Sequence, residues 1–129
     1  MERITDNFRL SEFDSKCGRE MPLEVRANIQ KLANQLQVIR NEIGEPITIT
    51  SGWRSPEHTR ELIKRGIKTS LSSQHVFGKA VDFKVANRTP KQVAEVIERL
   101  ISEGKILQGG VGVYRSWIHY DIRKTRARW

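Results

Sequence analysis

Between residues 22 and 44 the apolar side chains Val25, Ile29, Leu32, Leu36, Ile39 and Ile43 recur at spacings of four and three. That is the period of a long amphipathic helix. Pro22 suits its first turn, Gly44 a C-terminal cap, and Pro46 forbids its continuation. The pattern then changes to alternation. Ile47-Thr48-Ile49-Thr50 has the β-branched character of a strand and runs into Ser51-Gly52-Trp53-Arg54, which leaves Arg54 just past a strand end. Ser55 and Pro56 open a short helix that Gly66 stops, with Glu57, Arg60, Glu61 and Lys64 on its polar face. From Lys68 to Gly78 no apolar period survives, and this Ser/Thr-rich stretch is expected to be loop. Ala80 to Val85 alternates again, with Val81, Phe83 and Val85 on one face and Ala80, Asp82 and Lys84 on the other. Thr89-Pro90 caps a second clear helix through about Glu103, its core face formed by Val93, Val96, Ile97, Leu100 and Ile101, and Gly104 ends it.

The remainder has the pattern of a hairpin. Gly110 to Tyr114 and Trp117 to Arg123 are strand-like and meet at a tight turn near Arg115-Ser116. In the second strand Ile118, Tyr120 and Ile122 share one face, and Trp117, His119, Asp121 and Arg123 share the other. The elements together predict an α+β fold, a small antiparallel sheet flanked by helices. A lead containing Phe8, Leu10 and Phe13 precedes them, and no repeat, low-complexity tract or linker divides the chain, so residues 1-129 are expected to form a single domain.

Composition narrows the function. A chain of 129 residues hides roughly two-thirds of its unfolded surface on folding, enough for one core. With 37% hydrophobic and 29% charged residues it is globular in character, and no apolar stretch approaches the length of a membrane span. The segment from Met1 to Asp6 lacks the basic and apolar regions of a signal peptide, so synthesis in the cytoplasm is expected. The net charge of +8 favours a polyanionic partner, either nucleic acid or the anionic polymers of a bacterial envelope. No helix-turn-helix, zinc-finger or RNA-binding motif accompanies the charge, so specific nucleic-acid binding is not expected. The single cysteine, Cys17, excludes an internal disulfide and any cysteine-based zinc finger. A metal would need His and carboxylate ligands.

Two segments offer such ligands. Ser73-Gln74-His75-Val76-Phe77-Gly78-Lys79-Ala80-Val81-Asp82 places His75 in a loop and Asp82 in the following strand; Trp117-Ile118-His119-Tyr120-Asp121 lies in the hairpin. Two imidazoles and one carboxylate are a set that zinc accepts in catalytic sites, with its fourth position left for water. The helical H-E-x-x-H arrangement is absent.

The run Ser73-x-His75-x-x-Gly78-x-Ala80-x-Asp82, together with Trp117 to Asp121, resembles the zinc D-Ala-D-Ala carboxypeptidase family, which is related to lysostaphin-type peptidases and the hedgehog signalling domain. Ile47 to Pro56 and the closing Arg123 to Trp129 also look like the small single-domain branch known from phage endolysins and bacterial cell-wall peptidases. The resemblance implies a hedgehog/D-Ala-D-Ala peptidase-like fold, Zn2+ held by His75, Asp82 and His119, and Arg54 gripping the substrate carboxylate or peptide carbonyl. It makes Ser73 a supporting residue on the substrate side. It further implies hydrolysis of a peptide bond in the peptidoglycan stem or cross-link by a monomer that reaches the wall after release. Many members of the family carry the catalytic acid three residues before the last His, where this chain has Ser116, preceded by Arg115. The nearest carboxylate on that strand face is Asp121, roughly 7 Å along the strand from His119. Asp121 is therefore expected as the general base, with a role behind the imidazole as its alternative. The missing acid also leaves open a non-catalytic zinc-binding module of the same fold.

Several residues have plainer readings. His58 belongs to the first turn of a capped helix, Trp53 and Trp117 suit packing, and Trp129 is either frayed or docked. Asp82 taken alone could pair with Lys84, and Arg54 with Glu57. The tail Arg123 to Arg128 has the composition of a solvated charge run, and could also hold the anionic wall.

Overall fold

The computed structural model describes residues 3–15 and 20–129; Cys17 lies outside the described residues. Helix α1, Leu23–Ile43, buries Ile29, Leu32, Ala33, Leu36 and Ile39 along the stripe its period defines, and Gly44 closes it in the left-handed conformation. Strand β1 is Ile47–Ser51, and helix α2 is Pro56–Lys64, where the Ser55 hydroxyl accepts from the His58 N–H at 3.1 Å. Strand β2 is Ala80–Val85. Helix α3, Pro90–Ser102, opens on a reciprocal cap: the Thr89 hydroxyl accepts from the Gln92 N–H, and the Gln92 side chain accepts from the Thr89 N–H. Strands β3, Gly110–Val113, β4, Ile118–Asp121, and β5, Ala127–Arg128, complete the sheet.

The sheet order is β1-β2-β4-β3-β5, antiparallel throughout except where β5 runs parallel to β3. Val81, Phe83, Ile118, Tyr120 and Val111 turn to one face and join α1 and α3 in the core. Each fully buried Ile or Leu there contributes about 1.5–3 kcal/mol. Alternation sends Asp82, His119 and Asp121 to the opposite face. The ladder then sets them in rows: Ser51 pairs with Asp82, Asp82 with His119, and His119 with Gly112, so one line across four strands forms a floor.

The second face of β2 is itself covered at Ala80 and Asp82, and only Lys84 is exposed. Two expectations need correction. The Lys68 to Gly78 loop contains a turn of 3-10 helix, Gln74–Phe77, capped by Ser73. The tail is a solvated charge run only at Lys124 to Arg126. Arg123 pairs with Asp121, Arg128 makes a two-pronged contact with Glu98 at 2.6 and 2.8 Å, and β5 adds Ala127 and Arg128 to the sheet. Arg128 looks solvated in the sequence because its partner Glu98 lies 30 residues away, and Trp129 is docked rather than frayed. Trp53 packs in the core as expected, its Nε1–H donating to the Val76 carbonyl at 3.1 Å. Among the described residues no helix is long and apolar enough to cross a membrane.

Candidate active site

His75 is held by the chain that follows β1. The Gly52 carbonyl accepts from His75 Nδ1 at 2.8 Å, and the Arg54 N–H donates to the His75 carbonyl at 3.0 Å. Because a carbonyl only accepts, Nδ1 carries a proton, and Nε2 is the ring nitrogen left to face the floor. That Nε2 lies 3.3 Å from Asp82 Oδ1. His119 Nδ1 approaches the same oxygen to 3.0 Å from across the ladder. The two rings meet edge to face with centroids 5.3 Å apart. His75 is 3% exposed and His119 6%, and the potential ligand atoms of His75, Asp82 and His119 all lie within 4.8 Å of one another.

Electrostatics fit this convergence. Burial alone would raise the Asp82 pKa, but hydrogen bonds and charge from His119 and His75 outweigh it and hold the carboxyl well below its usual range. For His119, burial disfavours the imidazolium, yet the bonds to Asp121 and Asp82 raise its pKa above 6.5. Two imidazoles that can each give up a proton and offer a ring nitrogen, beside a carboxylate oxygen, suit a divalent ion, and the mix of imidazole and carboxylate suits zinc.

Asp121 stands elsewhere. Its carboxylate is fully buried and accepts from His119 Nε2 at 2.7 Å, the ring atom opposite the one that faces Asp82. It also accepts from the Gly110 N–H at 2.8 Å and from Arg123 Nη2 at 2.7 Å. Gly110 permits this approach: a Cβ there would come 2.9 Å from Asp121 Cγ. Burial pushes the Asp121 pKa up, but the bonds from His119, Arg123 and Gly110 bring it well below the usual carboxylate range. The expectation of Asp121 as proton acceptor thus meets a carboxylate sealed behind the imidazole, out of contact with the cleft.

The cleft in front has a volume of about 470 Å³, with His75, Asp82 and His119 in its floor. Lys68, Thr69, Ser70, Ser72, Tyr114, Trp117 and Trp129 also line it. Arg54 reaches in beside the floor, its Nη2 3.5 Å from Asp82 Oδ2, Nε donating to Ser51 Oγ at 3.2 Å and Nη1 to Thr69 Oγ1 at 3.4 Å. Burial lowers its pKa and Asp82 opposes the shift, and a guanidinium stays charged in either case. Neither plain pairing describes the observed contacts: Asp82 meets His75, His119 and Arg54, while Lys84 points to solvent. Ser73 also lines the cleft, and its hydroxyl accepts from the His75 N–H at 3.3 Å, so it shapes the turn that carries His75. Sequence reasoning missed Gly52, Thr69, Gly110 and Gly112. The glycines of Gly109-Gly110-Val111-Gly112, facing the polar side of the neighbouring strand, were the available signal.

No curated protein matches the chain. Among solved structures, the L-Ala D-Glu endopeptidase ChiX of Serratia marcescens shares the fold, with a TM-score of 0.57 and 20% identity over 79% of this chain and 88% of that one. The family profile of Peptidase M15 matches residues 6–121, from before the first turn of helix to the end of β4, and so spans every strand and loop that builds the floor of the cleft. The chain belongs to the Peptidase M15 family.

Proposed function

We propose that the chain is a zinc-dependent peptidoglycan peptidase, a carboxypeptidase or endopeptidase acting on the stem peptide or cross-link, in the manner of a phage or prophage endolysin. The observation that carries this reading is the buried convergence of His75, Asp82 and His119 beneath an open cleft in a Peptidase M15 chain. The name of the Serratia protein, an L-Ala D-Glu endopeptidase, supports the peptidoglycan stem as substrate class. One core shared by α1, α3 and strands β1 to β4 supports a single peptidase domain.

In this reading His75 offers Nε2, His119 offers Nδ1, and Asp82 offers a carboxylate oxygen. Zinc, when bound, supplies a Lewis acid that polarises the scissile carbonyl and activates water. Arg54, charged and partly desolvated, orients the substrate through its carboxylate or peptide carbonyl. Ser73 fixes the turn that aims His75. Asp121 acts through His119, holding the proton on Nε2 so that Nδ1 keeps its lone pair. The +8 charge, with Lys68 at the rim, favours approach to anionic wall polymers.

Purified protein is expected to hold about one zinc per chain. It should release peptides from cell-wall suspensions and lose both properties with chelator or His75→Ala. Stoichiometric zinc and intact hydrolysis after His119→Ala would contradict the ligand set. One observation favours the second reading, a non-catalytic zinc module that binds wall or protein. Among the described residues, Asp82 is the only carboxylate lining the cleft. Zinc-loaded protein that cleaves no peptidoglycan fragment would select that reading.

A further inference from the structure

Beyond β5 the indole of Trp129 crosses back over β3 to the floor of the cleft. Gly112, the ladder partner of His119, provides its seat. A Cβ at residue 112 would stand 2.5 Å from indole Cε2, so any other residue type there would push the ring from this position. The seat brings the indole 4.8 Å from the His119 imidazole, centroid to centroid, at an angle of 49°. Four further contacts fix it. Its Nε1–H donates to Tyr114 Oη at 2.7 Å, and the Arg123 guanidinium lies over the ring at 5.4 Å. Its backbone N–H donates to the Val111 carbonyl at 3.2 Å, and its carbonyl accepts from the Val113 N–H at 2.8 Å. The residue is 47% exposed, yet its ring is held from several sides at the flank of a nearly buried imidazole.

We propose that Trp129, seated on Gly112, is a positioning residue for metal binding by His119. The proposal rests on the reading that His75, Asp82 and His119 hold a divalent metal. A histidine ring turns freely about χ2 in a broad, two-fold well. Nε2 is bonded to Asp121 and Nδ1 to Asp82; an ion that takes Nδ1 would replace the second bond, which leaves the Asp121 bond and a swing about Nε2. The indole blocks the swing and keeps water from the flank of the ring, which strengthens the Asp121 bond in a drier setting. His119 Nδ1 is thereby held toward Asp82 and His75 before any ion arrives.

The test uses the full chain, with Zn2+ affinity from competition with a chromophoric chelator, the visible spectrum of the Co2+ form, and the melting temperature of the metal-free protein. Trp129→Ala is expected to weaken Zn2+ binding about 10–100-fold and to alter the Co2+ bands. Gly112→Ala, which keeps the tryptophan but removes its seat, should do the same, and the double variant should be no worse than either single one. Trp129→Phe keeps a ring against His119 and should recover most of the affinity. Wild-type affinity and an unchanged Co2+ spectrum in Trp129→Ala would overturn the proposal. So would losses that only track a lower metal-free melting temperature and that Phe does not rescue. Failure of the wild-type chain to bind Zn2+ would instead overturn the ligand set, and the proposal with it.

Discussion

Asp121→Asn separates a carboxylate that moves a proton from one that holds an imidazole. In the structure Oδ1 accepts from the Gly110 N–H and Oδ2 accepts from His119 Nε2, while Arg123 reaches both oxygens. Asparagine keeps one acceptor oxygen and replaces the other with an NH2 group. With the NH2 toward Gly110, a buried N–H loses its acceptor, at a cost of about 1–3 kcal/mol. With the NH2 toward His119, Nε2 must become the acceptor and the proton moves to Nδ1, the atom that faces Asp82. Either way the Arg123 guanidinium loses its charged partner; its side chain is 30% exposed, so water offsets part of that loss. The sum is about 2–4 kcal/mol of stability, below the ~3–5 kcal/mol of a fully buried broken pair. With an m value of ~2 kcal/mol/M, the urea midpoint of the metal-free protein falls by about 1–2 M. Zinc affinity should fall about 10–100-fold alongside. Unfolding followed by fluorescence and a chelator competition measure the two quantities. Wild-type stability and wild-type zinc affinity with hydrolysis abolished would refute the positioning role and restore Asp121 as the proton acceptor.

Four further outcomes follow from the structure. Zinc uptake should release about one proton from His119 at pH values below its raised pKa, so affinity falls as pH falls; calorimetry in buffers of different ionisation heat would show it, and zero release between pH ~6 and ~7 would contradict it. In the metal-free protein the raised His119 pKa contributes stability that is present below pH 6.5 and lost as pH rises through the folded value, whereas depressed Asp82 and Asp121 contribute above pH 3.8 and lose it as pH falls further, so urea midpoints should decline at both ends. Gly110→Ala drives a methyl against Asp121 Cγ and should cost about 1–3 kcal/mol, and a change within about 0.5 kcal/mol would mean the contact is not tight. Arg54→Gln removes charge-assisted bonds worth about 1.5–3 kcal/mol and should lower kcat/KM by about 10–150-fold with zinc affinity kept; an equal fall in zinc affinity would place Arg54 in metal binding instead.

Local patterns carried most of the fold. The four-and-three spacing of α1, the Thr89 to Gln92 cap of α3 and the alternation of β2 and β4 are decided by residues close together in the chain. The convergence of His75, Asp82 and His119 was suggested by a resemblance, while the structure supplies the reason they meet: β2 and β4 are ladder neighbours with Asp82 opposite His119. What escaped the sequence depends on contacts between distant segments. Spacing alone could not decide whether Asp121, two residues from His119, faces the cleft or stands behind the imidazole. The choice follows from which ring nitrogen meets Asp82. The tail misled for a similar reason, since the bond of Arg128 to Glu98 and the parallel pairing of β5 with β3 leave no periodic mark.

The central claim is that a metal held by His75, Asp82 and His119 makes this cleft a peptidoglycan peptidase. Its most direct test is mass spectrometry of purified cell wall incubated with the zinc-loaded chain, with the chelated chain, and with the chelated chain after zinc is restored. One defined class of new peptide terminus should appear, vanish and reappear across the three samples. The same termini from the chelated chain, or none from the zinc-loaded one, would contradict it.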